Sequence, residues 1–139
     1  MTEKSQNLNH LIIEFYEKLS SWEYGVVREH ELSLSQMHVI EILGLHKGTT
    51  MKELARKMGV TTGSLTVVVD KLVRKDLVRR RPHDTDRRSL IVELTENGEK
   101  DFLEHDEMHS RLTEEIVHHL SKEEVGQLTT ILAKVNEVI

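Results

Sequence analysis

One continuous segment, residues 61–95, constrains this chain more than any other because it changes from helical to strand periodicity. Its first part places apolar residues on one face of a helix, at Leu65, Val68, Val69 and Leu72. Thr61 stands where a helix cap is expected. Alternating residues then predict a β-hairpin with strands over 77–80 and 89–94. The segment therefore predicts a helix followed directly by a hairpin.

The hairpin carries turn residues at its tip and is strongly basic. The turn residues are Pro82, His83, Asp84, Thr85 and Asp86. The arginines around them are Arg79, Arg80, Arg81, Arg87 and Arg88. A helix with a basic hairpin is typical of a winged helix-turn-helix, which places the helix in the major groove of DNA and the wing at the minor groove. We expect such a DNA-binding module over residues 35–95.

The distribution of charge supports this expectation although the whole chain has a net charge of −5. Between residues 71 and 88 there are eight Lys or Arg against three Asp. Between residues 96 and 125 there are ten acidic residues against three basic ones. The chain therefore has one region suited to phosphate and another that repels it.

The rest of the module is predicted to be helical. A second helix is expected from a cap at Ser35 to about Leu45, and a third over 51–58 with Thr50 as its cap. Gly59 is expected to leave the third helix in the left-handed conformation. This third helix and the helix after Thr61 would form the helix-turn-helix itself.

Three longer helices flank the module. The first is predicted over about 5–27, the fifth from a cap at Thr95 to about Leu120, and the sixth from a capping box of Ser121 and Glu124. Their apolar stripes exceed what one small module can cover. We therefore expect a mainly α fold with six helices and a small β-hairpin wing, as a single domain over 1–139. Helices in 5–30 and 96–139 would intertwine in a homodimer that binds palindromic operators.

Composition excludes several other classes. There is no cysteine, so disulfides, thiolate metal sites and thiol redox sensing are excluded. No signal core or membrane span is recognisable in the sequence. We expect a cytoplasmic protein.

Six short motifs occur in order along the chain and resemble those of the MarR family of transcriptional regulators. They are Glu53-Leu54-Ala55, Gly59-Val60-Thr61, Asp70-Lys71-Leu72, Leu77-Val78, Asp86-Arg87-Arg88 and Leu94-Thr95-Glu96-Asn97-Gly98. The resemblance implies a winged-helix homodimer, and we expect a repressor rather than an enzyme.

The candidate DNA contacts lie on the fourth helix and the wing: Thr61, Thr62, Gly63, Ser64, Thr66, Val67, Lys71, Arg79, Arg81, Arg87 and Arg88. The hydroxyl groups can bind phosphate or base edges, and Val67 can contact a thymine methyl where the family often has a long basic residue. Arg87 is the candidate for the minor groove. Asp70 needs a cation to neutralise it near DNA, and we expect Arg88 to pair with it.

The chain has nine histidines, and two of them interrupt the apolar stripe of the fifth helix. His105 and His109 are four residues apart, so one ion could bind both rings. Together with His38 and Glu23 they resemble the ligand set of the zinc-responsive branch of the family, the streptococcal and lactococcal zinc-uptake repressors. Glu17 or His30 could replace Glu23.

This resemblance implies Zn²⁺ as a corepressor that joins the DNA-binding module to the dimerisation helices. The branch has a second site with a cysteine, but this chain has none, and Met37 stands where that site has an acidic ligand. We therefore expect one site per subunit.

Two alternatives to a zinc-responsive regulator remain open. One is a regulator of the same fold whose effector is a small aromatic or phenolic compound. The other is a zinc hydrolase, but His105 is followed by Asp106 rather than by the Glu of a zinc-protease helix. That spacing would misplace a catalytic base.

Overall fold

The computed structural model describes residues 1–139 and contains six α-helices and one small antiparallel sheet, which confirms the predicted fold class. The elements are α1 (Glu3–Glu29), α2 (Leu34–His46), β1 (Thr49–Thr50), α3 (Met51–Met58), α4 (Thr62–Arg74), β2 (Val78–Pro82), β3 (Leu90–Leu94), α5 (Glu96–His118) and α6 (Lys122–Asn136). They divide into two compact units, Met1–Leu103 and Glu104–Ile139. No helix has both the length and the apolar character needed to span a membrane.

The core of the first unit fixes α4 from one side. Leu65, Val69 and Leu72 on α4 are completely buried. They belong to a cluster with Ile40 of α2, Leu54 of α3 and other buried residues of the module. Truncating a leucine in such a core typically costs about 2–5 kcal/mol, so the buried face of α4 strongly determines which face remains outside.

Most of the predicted helix boundaries are confirmed by their caps. The hydroxyl of Thr50 accepts from the N–H of Glu53 at 3.2 Å, and that of Thr61 accepts from the N–H of Ser64 at 3.2 Å. Gly59 is left-handed with φ 66°. Such caps depend only on residues three or four apart, which is why sequence predicts them well.

The cap predicted for α2 was wrong. Ser33 caps this helix rather than Ser35, and it forms a reciprocal capping box with Gln36. The box satisfies two backbone N–H groups at once, whereas a start at Ser35 would leave this pairing unused.

The sheet has three strands rather than the two of the predicted hairpin, in the order β1-β3-β2. β1 pairs Thr49 with Val92 and Thr50 with Ile91. A strand of two residues is too short to show alternation in the sequence. In the second pair of strands, Val78 faces Leu94 and Pro82 faces Leu90, so β2 reaches further toward the tip than expected.

The Leu94–Gly98 motif attaches the base of the wing to the start of α5. The Thr95 hydroxyl donates to the carbonyl of Asp76 at 2.6 Å and accepts from the N–H of Gly98 at 3.1 Å, so Thr95 caps α5 as predicted. Asn97 donates to the Asp76 carboxylate at 3.0 Å. A Cβ at Gly98 would collide with the carbonyl oxygen of Leu77. This close approach requires a glycine.

Two helices outside the module expose long rows of apolar side chains. On α1 these are Leu8, Leu11, Ile12 and Phe15. On α6, in the second unit, they are Leu128, Ile131, Leu132 and Val135. Exposed apolar rows of this length are uncommon on monomeric proteins.

Candidate nucleic-acid interface and effector cleft

The outward side of α4 carries the residues that the sequence predicts to contact DNA. Thr62, Gly63, Ser64, Thr66, Val67 and Lys71 are all exposed. Because the opposite side of the helix is buried, these residues form one accessible surface. We call these six residues the exposed arc.

The hydroxyl groups at the start of α4 have defined roles. Thr66 donates its proton to the carbonyl of Thr62 at 2.8 Å, so its oxygen is left as an acceptor. The hydroxyl of Thr61 donates to the Ser64 oxygen at 3.1 Å, which leaves the Ser64 proton available to a ligand. Within the exposed arc, Thr66 therefore offers an acceptor and Ser64 a donor to base edges or phosphates.

Gly63 has no internal packing role. A Cβ at this position would meet no atom closer than the Thr61 hydroxyl oxygen, at 3.9 Å. The absence of a side chain keeps the first turn of α4 flat, where a backbone can approach a nucleic acid closely.

Asp70 on α4 pairs with a wing arginine, but the predicted partner was wrong. Nη2 of Arg80 on β2 donates to Oδ1 of Asp70 at 2.6 Å. Arg80 lies opposite the fully buried Val92 in the sheet register, so its side chain points to the face that packs against α4. The backbone N–H of Arg88 instead donates to the carboxylate of Asp86 at 3.0 Å.

Arg79 and Arg81 lie on the other face of β2 and share one carboxylate. Their Nε atoms donate to the two oxygens of Glu93 on β3 at 2.9 and 3.0 Å. Burial alone would raise the pKa of Glu93, but the hydrogen bonds from Arg81 and Arg79 outweigh it, so the pKa is lowered. Glu93 was not among the predicted site residues. It aligns both arginines and partly neutralises them.

The tip of the wing, residues 83–88, carries the remaining predicted contacts. Arg87 and Arg88 are exposed. Backbone hydrogen bonds close the turn, from the N–H of Ser89 to the carbonyl of Asp86 and from the N–H of His83 to the carbonyl of Ser89, both at 3.2 Å. The guanidinium of Arg87 thus extends from a closed turn.

A cleft of about 400 Å³ opens between α1 and α2 in the first unit. Two of the predicted metal ligands, Glu23 and His38, line it together with Glu41. Its apolar wall includes Tyr16, Leu19 and Met37. Glu41 lies three residues after His38, one helical turn away, and is not among the ligands predicted from the sequence. The cleft combines acidic groups, an imidazole and an aromatic ring.

The other two predicted ligands lie together on α5 in the second unit. The Nε2 atoms of His105 and His109 are 3.1 Å apart, and the rings are edge to face with centroids 4.7 Å apart. The side chain of His105 is almost completely buried. The separation of the Nε2 atoms is that of a hydrogen bond between the two rings, and it is slightly shorter than the roughly 3.3–3.4 Å between two nitrogen ligands of a tetrahedral zinc ion.

Comparison with known proteins agrees with the module described above. The MarR family model matches residues 32–90, from the end of the α1–α2 connection to the start of β3. The transcriptional regulator MhqR of Bacillus subtilis is 32% identical over 136 residues, covering 97% of this chain and 93% of MhqR. The chain belongs to the MarR family.

Solved structures have the same fold. Streptococcus pneumoniae FabT in complex with DNA superposes with a TM-score of 0.87 at 23% identity, covering 96% of each chain. NadR in complex with 4-hydroxyphenylacetate superposes with a TM-score of 0.79 at 23% identity, covering 95% of this chain and 94% of NadR. This MarR-family chain is a DNA-binding transcriptional regulator and not an enzyme.

Proposed function

We propose that this protein is a repressor that binds palindromic operators as a homodimer. The observation that carries the proposal is the joint placement of the exposed arc and the wing arginines on one rigid module. The Asp70–Arg80 ion pair connects α4 to β2, so the helix and wing form one surface. One such surface covers a single half-site, and two copies about one DNA turn apart are needed to bind a palindrome.

The apolar rows on α1 and α6 support a second copy of this chain as the partner. A two-fold axis would bring identical apolar surfaces together without leaving an open end, which is the usual arrangement of soluble homo-oligomers. Within each row, the apolar residues recur three or four positions apart over several turns, as they do in helix–helix interfaces. This dimer would hold the two modules at a fixed separation.

We further propose Zn²⁺ as the effector, held by His105 and His109 with Glu23 and His38 as additional ligands. Two observations support this proposal. The Nε2 atoms of the imidazole pair lie close to the separation of two ligands of one ion, and Glu23 and His38 line one cleft. Nitrogen and carboxylate donors without thiolate suit Zn²⁺. Bound zinc would supply a multivalent link that favours one spacing of the α4 helices, so metal binding and operator binding would strengthen each other. The expected role is that of a corepressor.

A small uncharged aromatic compound is the second candidate effector. Tyr16, Leu19 and Met37 give the cleft an apolar wall. Glu23 and Glu41 line the same cleft and would repel an aromatic acid at neutral pH. This charge favours a cation or a neutral phenol over an anionic ligand.

Fluorescence anisotropy with a labelled operator tests the proposal for DNA. Duplexes selected from a random pool should converge on a palindrome, and affinity should fall steeply with salt because phosphate contacts release counterions. Selection of an asymmetric sequence, or binding without salt dependence, would contradict it.

The same assay tests the effector. Zn²⁺ should tighten operator binding by the wild type about 5- to 150-fold, the usual range of allosteric coupling. His105→Ala should abolish this response, whereas the matched variant His118→Ala, on the same helix, should retain it. A response to a neutral phenol but not to Zn²⁺ would favour the second candidate.

A further inference from the structure

His83 at the tip of the wing makes hydrogen bonds that the proposed DNA contacts do not explain. Its Nδ1 atom accepts from the backbone N–H of Thr85 at 3.1 Å and from the backbone N–H of Asp86 at 3.0 Å. Both donors are backbone groups of the turn itself. The ring therefore accepts hydrogen bonds from the N–H groups two and three residues further along the chain, as an Asn or Asp side chain does in an Asx turn.

A second side chain closes the other half of the same turn. The carboxylate of Asp86 accepts from the N–H of Arg88 at 3.0 Å and from the hydroxyl of Ser89 at 3.4 Å. Arg87 lies between these two capped halves, and its side chain is exposed. Its backbone position is therefore set by His83 on one side and Asp86 on the other.

We propose that His83 is a positioning residue that preorganises the wing tip so that Arg87 meets the DNA. This inference rests on the proposed function, in which Arg87 enters the minor groove. Because the turn is already closed before binding, the loop loses less conformational entropy when the complex forms. His83 would act through Arg87 and not through a contact of its own with phosphate.

The role requires a nitrogen with a free lone pair, because Nδ1 accepts both N–H groups. The Thr85 hydroxyl lies 3.4 Å from the same nitrogen. His83→Asn places an amide oxygen where it can accept from the same turn N–H groups, whereas His83→Ala removes the acceptor.

The experiment compares His83→Ala with His83→Asn, each with and without Arg87→Ala, by operator anisotropy. His83→Ala should weaken binding about fivefold, the equivalent of about one net hydrogen bond, and His83→Asn should restore wild-type affinity. In the Arg87→Ala background, His83→Ala should cause no further loss. Equal weakening by Ala and Asn, or additive losses with Arg87→Ala, would overturn the proposal.

Amide exchange without DNA separates positioning from direct contact. The amides of Thr85 and Asp86 should exchange faster in His83→Ala than in His83→Asn, and equal exchange would overturn the positioning role. If wild type binds no duplex, the proposed function fails, whereas amide exchange still tests the turn.

Discussion

The carboxylate of Asp70 on α4 accepts a 2.6 Å hydrogen bond from the guanidinium of Arg80 on β2. This bond joins the helix that carries the exposed arc to the strand that leads into the wing. An acidic residue near a DNA-binding surface would otherwise repel phosphate. Paired with Arg80, it instead fixes the angle between helix and wing.

Loss of the Asp70–Arg80 pair should loosen the wing with a small effect on stability. Asp70→Asn and Arg80→Ala should show a coupling energy of about 0.2–1 kcal/mol in a double-mutant cycle by urea unfolding, as for partly exposed ion pairs. Operator affinity should fall in both single variants. The matched control cycle combines Asp70→Asn with Arg88→Ala. Coupling energy in that cycle, and none in the cycle with Arg80→Ala, would contradict the observed pairing.

Removal of the Glu93 charge should leave Arg79 and Arg81 less neutralised, although Arg81 keeps its ion pair with Asp84. Glu93→Gln leaves Arg79 and Arg81 without their shared carboxylate, so binding to a non-operator duplex should tighten. The slope of log affinity against log salt should become steeper by up to roughly 1.8, which corresponds to about two additional phosphate contacts. Glu99→Gln removes the same charge from an exposed position on α5 and serves as the control. An equal change in both variants would indicate a general charge effect.

Glu93 should also contribute to acid sensitivity. Its pKa is lowered from the ordinary value of 4.5, so the folded state favours the ionised form. The resulting stability is present above that ordinary value and is lost as pH falls through the lowered value in the folded protein. The destabilisation caused by Glu93→Gln should therefore be greatest near neutral pH and shrink in acid, measured by urea unfolding across this range. A destabilisation that is constant with pH would argue against the ion pairs as its source.

Gly63→Ala should separate folding from DNA binding. The added methyl group would contact only the Thr61 hydroxyl oxygen, at 3.9 Å, so the helix should gain about 0.5–1 kcal/mol from the better propensity of alanine. Operator affinity should fall because the methyl group projects from the exposed arc. Gly25→Ala on α1, where a Cβ meets open space, is the control for propensity alone. Unchanged operator affinity for Gly63→Ala would remove the first turn of α4 from the interface.

A charge in the apolar row of α6 should disrupt the proposed homodimer. Ile131→Lys places an ammonium group in this row, which would be buried between two copies at a high desolvation cost. Light scattering should detect monomers of the variant at concentrations where the wild type is a dimer. The operator affinity of the variant should also be lower. Thr129→Lys, on another side of the same helix, should remain dimeric. A dimeric Ile131→Lys variant would place the interface elsewhere.

Local sequence determined most of the helices and the position of the wing. The caps at Thr50, Thr61 and Ser121 depend on bonds within one turn, and the buried face of α4 follows from residue spacing. The histidine pair on α5 could also be predicted, because residues four apart on a helix lie on one face. Whether that pair binds zinc stays a prediction.

Tertiary structure decided which charged groups meet. The partner of Asp70, the role of Glu93 and the third strand all depend on the register between segments that are distant in sequence. A shift of one residue in a strand turns every side chain to the other face, so the sequence could not distinguish Arg80 from Arg88 as a partner. Short-range bonding made the elements predictable, whereas the packing of α4 against the sheet fixed their charged contacts.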